Sequence, residues 1–373
     1  MKKILFITAF PPNRKTAGQN YSRELLNSLV NKFTIDLISF TYPNHDIEIK
    51  KEIRILKIYS TSKISKFFGW LQFPLLYPLF VFRYRMGLLF FLLKNAGKYD
   101  FVYFDFSQVF VYSLFIRKPF KIMMSHDVIF QKIKRNKFNK INPFNLLLFF
   151  SEKKILKSAN LIMVFSKKDK ELIKDLYNLN ASVVSFFIDK KIKKLKYEDI
   201  KIERKFCFFG AWNRPENSDG LMWFMDNVFP SVEETIKFEI IGPGLENSFF
   251  ERFNTKERVT YLGFLENPYS KIAESLALIA PIFQGAGVKV KVVESLAVGT
   301  SVIGTQIAFE GIDDLGDNSM INCDTVEKFI STINNFFPVD IYDKKNKTKL
   351  LFEKSYIQSS FEDILQSTSS VNS

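Results

Sequence analysis

Cysteine, histidine and long apolar runs are all scarce in this 373-residue chain, and each scarcity excludes something. The two cysteines, Cys207 and Cys323, stand far apart, which fits a reducing cytosol and not a disulfide scaffold. The only histidines are His45 and His126, so acid–base chemistry has few imidazoles to draw on. No stretch reaches the roughly 18 uninterrupted apolar residues of a membrane-spanning helix. Ile4–Phe10 follows Met1-Lys2-Lys3 as a signal peptide would, but it is short, runs into Pro11-Pro12 and lacks a small-residue cleavage site. A first β-strand is expected there instead. No Asp-x-Asp motif stands at a strand end, so no divalent ion and no other cofactor is expected. Repeats are also absent.

What is present is positive charge, unevenly spread. Residues 1–195 hold 35 Lys and Arg against 13 Asp and Glu, a net of +22, whereas residues 196–373 carry a net of −8. A basic half joined to an acidic half implies a different partner for each. Nucleic acid is disfavoured, because the cations are spread along helices among Phe and Leu and no nucleic-acid motif appears. An anionic membrane surface fits better. Residues 61–98 sharpen that expectation, interleaving aromatic rings with Lys63, Lys66, Arg83, Arg85 and Lys94 around Pro74 and Pro78. Such a stretch either lies in a lipid interface or packs on the sheet with its cations snorkelling to water.

The patterning predicts an α/β chain. Strands are expected at Lys3–Thr8, Thr34–Phe40, Ile53–Tyr59, Phe101–Asp105, Phe120–Ser125 and Leu161–Ser166. Helices are expected between them at Tyr21–Val30, Trp70–Asn95, Phe144–Lys157 and Lys168–Tyr177. That alternation specifies a doubly wound parallel sheet, whose ligands gather at the carboxyl ends of its strands. Three loops fall there. Pro11–Gln19 includes Gly18 and precedes a helix. His126-Asp127 follows a strand, with Asp127 placed to orient the imidazole or to cap the next helix. Ser166 with Asp169 reads as a helix cap.

Beyond the charged stretch 189–204, strands resume at Lys205–Phe209, Phe238–Ile241, Val259–Leu262, Leu276–Ala280 and Ser301–Ile303, giving a second doubly wound domain. Its most informative segment is Pro281–Glu310. Gly285-Ala286-Gly287 supplies backbone without bulk, Val288–Val298 has helical spacing, and Gly299 sits where a left-handed cap belongs. A glycine turn feeding a helix start is a ready anion site. Lys289 and Lys291 lie in that first turn, where they oppose the helix dipole, so an anionic ligand accounts for them better than helix stability does. Glu294, one turn on, can face the same mouth. The plainer alternative is an ordinary βαβ unit with a solvated lysine pair.

The run from Gly285 to Gly304, with Phe309-Glu310-Gly311-Ile312 beyond it, resembles the nucleotide-sugar signature of the family-4 retaining glycosyltransferases (group 1 glycosyltransferases). Gly210-Ala211-Trp212-Asn213-Arg214-Pro215-Glu216-Asn217 is similar to the start of the same domain in a subgroup of them. The resemblance implies the GT-B fold, two Rossmann-like domains facing a central cleft. It casts Glu294 on the ribose hydroxyls and Gly285, Ala286, Gly287 and Val288 against the donor sugar and diphosphate. Arg214, beside Gly210, is cast on diphosphate oxygens. Lys289 or Lys291 would replace a lysine that other members carry beside that arginine. Ala286 stands where many members have a second glutamate. Gly263, Phe264 and Leu265 are implied near the nucleotide base, Gly18 on the acceptor side and His126 near the reacting centre.

The domains expected are 1–195 for acceptor binding, 196–342 for the nucleotide sugar, and 343–373 as a helix crossing back to the first domain, followed by a disordered tail. The function so implied is transfer of a sugar from a nucleotide diphosphate sugar to a glycan or lipid-linked acceptor. It would be retaining, metal-independent, and cytoplasmic or peripheral on the inner face of the membrane. Two alternatives share the fold: a nucleotide-sugar epimerase, and a degenerate GT-B partner in a polysaccharide complex.

Overall fold

A computed structural model describes residues 1–42, 46–135, 143–195, 200–253, 257–356, 361 and 363–365; His45 and the extreme tail lie outside the described residues. The chain forms two compact units, Met1–Phe187 with Gln358–Ser373, and Ile188–Ile357. The change of unit thus falls at 187/188, ahead of the charged stretch, where 195/196 was expected.

In the first unit the strands are β1 (Lys2–Thr8), β2 (Phe33–Thr41), β3 (Arg54–Ser60), β4 (Phe101–Asp105), β5 (Phe120–Met124), β6 (Leu161–Val164) and β7 (Ser182–Val183). They pair in parallel in the order β3-β2-β1-β4-β5-β6-β7. Ile4–Thr8 is buried throughout, which is why β1 reads as a continuous apolar run: a central parallel strand is covered on both faces. β3, at the edge, stays half-exposed and carries Lys57.

The second unit repeats the scheme with β8 (Lys205–Phe209), β9 (Lys237–Ile241), β10 (Val259–Gly263), β11 (Ala277–Ala280), β12 (Ser301–Gly304) and β13 (Met320–Asn322). Their order is β10-β9-β8-β11-β12-β13, again parallel. Both sheets therefore reverse direction beside their first strand, between β1 and β4 and between β8 and β11. Doubly wound sheets bind ligands outside the strand ends at such a reversal.

Three expectations need correction. The span Trp70–Asn95 is three helices, Lys63–Leu71, Pro78–Val81 and Met86–Asn95. Pro78 opens the middle one, where its missing N–H is not needed. Arg83 and Arg85 are not surface cations. Arg83 is 2 % exposed, donates through Nε to the Ala9 carbonyl at 3.1 Å and packs over the rings of Phe10 and Tyr42. Arg85 donates to the carbonyls of Tyr84 and Ser60. The final long helix, Ile341–Ser355, belongs to the second unit, and the chain returns to the first only at Gln358. There Phe352 joins the core, and the buried Lys345 Nζ donates to Ser275 O at 2.7 Å and Thr300 Oγ1 at 3.0 Å. Phe361, in the first unit, lies edge-on to Phe33 and Tyr103.

Candidate functional site

In the first unit the reversal gathers a polar cluster that only partly matches expectation. Thr8 ends β1 and is in register with Asp105, which ends β4. Asp105 is 0 % exposed. Its Oδ2 accepts from Thr8 Oγ1 at 3.0 Å and from Ser22 Oγ at 2.5 Å, and its Oδ1 lies 2.8 Å from His126 Nε2. A carboxylate only accepts, so Nε2 carries the hydrogen. The His126 ring, just past β5, stacks on Phe106 at 3.7 Å with planes 6° apart and meets the edges of Phe165 and Tyr21. Phe106 itself sits at φ 68°, in a region a bulky residue occupies only under constraint.

The carboxylate that orients this imidazole is thus Asp105, where the sequence reading had put Asp127. At the start of the next helix the Glu152 carboxylate accepts from the N–H groups of Ile129 and Phe130. Gly18 lies in the first turn of the helix Ala17–Leu29, capped by Thr16. A Cβ there would come 2.9 Å from the Phe106 ring and 3.2 Å from His126 Nδ1, so only glycine lets this helix pack so close to the two rings. Ser166 caps its helix as read, accepting from Asp169 N at 3.0 Å.

In the second unit the reversal gathers the residues named in sequence more completely. Gly210 follows β8, and Arg214 opens the helix Pro215–Asn227 with Pro215 in its first turn. That helix presses on the end of β11: a Cβ on Gly220 would lie 1.9 Å from the Pro281 carbonyl oxygen. Gly285 and Gly287 take φ 104° and 74°, which side-chain-bearing residues avoid. Lys289 Nζ donates to the Gly287 carbonyl at 2.7 Å, holding the loop closed. Gln284 ties the loop to Asp219. The helix Val290–Ala297 begins at Lys289 with no side-chain cap, and Gly299 beyond it has φ 75°.

Lys291 points back at Gly210. Its Nζ donates to Asn217 Oδ1 at 2.7 Å and would be 3.4 Å from a Cβ on Gly210. Burial pushes its pKa down to about 7; Glu216 opposes that, while the positive charges of Lys289 and Arg214 add to it. Three cations thus converge here, with Glu216 4.0 Å from Arg214. Glu294 is the mirror case. Burial raises its carboxyl to about 7, with Asp189 adding and the hydroxyl of Tyr269, donating to Oε1 at 3.0 Å, opposing. Ala286 and Val288 line the same loop, half-buried. Gly263, Phe264 and Leu265 end β10 and follow it, with β9 and β8 between them and the reversal; Gly263 has φ 64° and Phe264 is exposed.

Sequence reading missed Thr8, Ser22, Asp105 and Phe106 in the first unit and Asn217, Tyr269 and Asp189 in the second. A carboxylate at the carboxyl end of a strand was the one available signal, and Asp105 carried it. No grouping of His, Cys, Asp and Glu able to hold a metal occurs among the described residues.

Comparison with known proteins now has geometry to rest on. Residues 203–337 match the family model described as glycosyl transferases group 1. The matched segment lies within the second unit. Among curated proteins none matches the chain. The whole chain superposes on Anabaena HepE in complex with UDP (TM-score 0.69, 13 % identity, 100 % of each chain covered). It also superposes on a mutant of S. aureus TarM in complex with fondaparinux, alpha-GlcNAc-glycerol and UDP (0.71, 12 %, 99 % of this chain and 100 % of that one). The lipopolysaccharide outer core galactosyltransferase WaaB matches at 0.64 with 14 % identity over 99 % of both chains. The fold is GT-B, and the matched family model is one of glycosyltransferases.

The raised Glu294 pKa has a consequence for stability. A carboxyl at about 7 in the folded chain and 4.5 unfolded favours folding fully below pH 4.5, and that contribution is lost as pH rises through 7. Glu294→Gln, which keeps an acceptor for Tyr269, should therefore raise the melting temperature relative to the parent at pH 8 and lose that advantage near pH 4. Thermal denaturation across this range checks it, and a gain that is independent of pH contradicts it.

Proposed function

We propose that the chain moves a sugar from a nucleotide diphosphate sugar to a glycan or lipid-linked acceptor in cell-surface polysaccharide or lipopolysaccharide synthesis, with retention at the anomeric carbon and no required metal ion. The observation that carries this is the convergence of Lys289, Lys291 and Arg214 on an uncapped helix start in the group 1 domain. Positive charge gathered half-buried at a helix start fits a diphosphate, and stabilises the charge that a departing nucleoside diphosphate develops. Glu294, steadied by Tyr269, takes the ribose hydroxyls. UDP is the first base to test, because the HepE structures contain UDP and UDP-glucose. In the first unit His126 works beside the reacting sugar, and Gly18 leaves space for the acceptor.

Calorimetry with UDP and UDP-glucose tests the donor side. Glu294→Ala should weaken binding by about 1.5–3 kcal/mol, the worth of hydrogen bonds to a charged group. Unchanged affinity in a folded variant removes Glu294 from the site.

The same reading places the enzyme on the cytoplasmic face of the membrane, bound peripherally through its basic first unit. No helix among the described residues is long and apolar enough to cross a membrane. The helix Lys63–Leu71 instead leaves Ile64, Phe67, Phe68 and Leu71 exposed at helical spacing, beside Lys63 and Lys66, with Phe90 and Leu93 exposed on the helix Met86–Asn95. Each Lys near an anionic surface contributes about 1 kcal/mol, and the rings add apolar burial. Wild type should sediment with phosphatidylglycerol vesicles at low salt and release at high salt, as screening shortens. Combining Phe67→Ser and Phe68→Ser with Lys63→Glu and Lys66→Glu should abolish sedimentation while sparing UDP affinity. A wild type that stays in the supernatant ends the membrane assignment.

A further inference from the structure

We propose that Asp105 is a positioning residue that fixes His126 as its Nε2–H tautomer and presents Nδ1 as a hydrogen-bond acceptor for a substrate hydroxyl. The identity of that hydroxyl, as belonging to a sugar, rests on the glycosyltransferase reading; the tautomer does not. The carboxylate that makes the contact is wholly buried at the end of β4 and held on its other oxygen by Thr8 and Ser22, so it has little freedom to turn away. Its Oδ1 lies 2.8 Å from Nε2 and can only accept, which puts the ring hydrogen there. In the neutral ring Nδ1 then keeps its lone pair. No described residue donates to Nδ1.

The ring cannot readily swing to exchange the two nitrogens. Phe106 covers one face at 3.7 Å, nearly parallel, and Phe165 and Tyr21 stand edge-on to it at 5.1 and 6.1 Å. Phe106 reaches this position with φ at 68°. Such backbone conformations persist where the surroundings over-determine them, which is common at functional sites. On the Nδ1 side the nearest helix offers Gly18, whose missing Cβ would have stood 3.2 Å from that nitrogen. The imidazole side chain is 13 % exposed, so solvent or a ligand reaches it. An acceptor nitrogen, locked in direction on a ring that a ligand can reach, is built to receive a donor such as a hydroxyl. Its neighbours Thr8, Ser22 and Asp105 touch the imidazole or its carboxylate, and act through it.

The chain makes the tautomer easy to read, because it has two histidines. Nitrogen-15 NMR of histidine-labelled protein at pH 8, with His45→Gln assigning the second ring, should show His126 with Nε2 protonated and Nδ1 unprotonated. Finding Nδ1 protonated, or the rapidly exchanging mixture of a free imidazole, overturns the proposal without any need for substrate. Asp105→Asn, whose amide can donate as well as accept, should shift His126 towards the Nδ1–H form. If that variant does not fold, the wild-type spectrum still decides. In turnover of UDP-glucose, the same variant should lower kcat by roughly tenfold or more with little change in donor KM. Loss confined to KM, with the tautomer unchanged, assigns Asp105 a merely structural place and contradicts the proposal. Should the wild type turn over no nucleotide sugar, the functional reading fails while the tautomer result stands on its own.

Discussion

A lysine ammonium held out of water at the start of a helix is the constraint that makes sense of the second unit. Lys291 opposes the helix dipole, sits with Lys289 and Arg214 nearby, and has its pKa driven down to about 7 by burial. Nothing about helix stability recommends that arrangement. The surrounding structure nevertheless goes to lengths to preserve it. Asn217 holds the ammonium, Gly210 leaves room for it, Gly285 and Gly287 adopt backbone angles closed to other residues, and Gly220 lets the helix Pro215–Asn227 press against the end of β11. Glu294 carries the opposite strain, a carboxylate short of donors beyond Tyr269, and a pair of ribose hydroxyls would supply them.

The first unit solves a related problem differently. Its buried charge, Asp105, is fully hydrogen-bonded from within by Thr8, Ser22 and His126, so it needs no ligand. What it leaves unsatisfied is one nitrogen of the imidazole. Both arrangements sit where the strand order 3-2-1-4-5-6 reverses, and the backbone topology alone would have placed a ligand there. One sheet presents charge and the other an oriented imidazole.

Much of this was legible in the residues. The parallel strands were readable because central strands covered on both faces must be apolar throughout, as Ile4–Thr8 and Ala277–Ala280 are. The glycine and lysine loop ahead of Val290–Ala297 was readable because its glycines, lysines and Glu294 lie within ten residues of one another. The Asp105–His126 contact was not, since it joins residues 21 apart whose meeting depends on strand order, and Asp127 stood next door as a plausible partner. The two shortest strands, β7 and β13, were invisible because two or three residues cannot show a period. Arg83 was misjudged for a different reason. Arginine beside aromatic rings looks the same in sequence whether it faces lipid or is buried over Phe10 and Tyr42.

The central claim is that the chain transfers glycosyl groups from a nucleotide sugar with retention. Proton NMR of UDP-glucose, and then of other nucleotide sugars, incubated with the purified chain and a chelator tests it most directly, through the slow transfer to water that such enzymes show without an acceptor. The account predicts release of nucleoside diphosphate, with the α anomer of the sugar appearing before mutarotation sets in. First appearance of the β anomer would contradict retention, a 2-epimerised product would make the chain an epimerase, and binding without any turnover would leave it a donor-binding partner with no transferase chemistry.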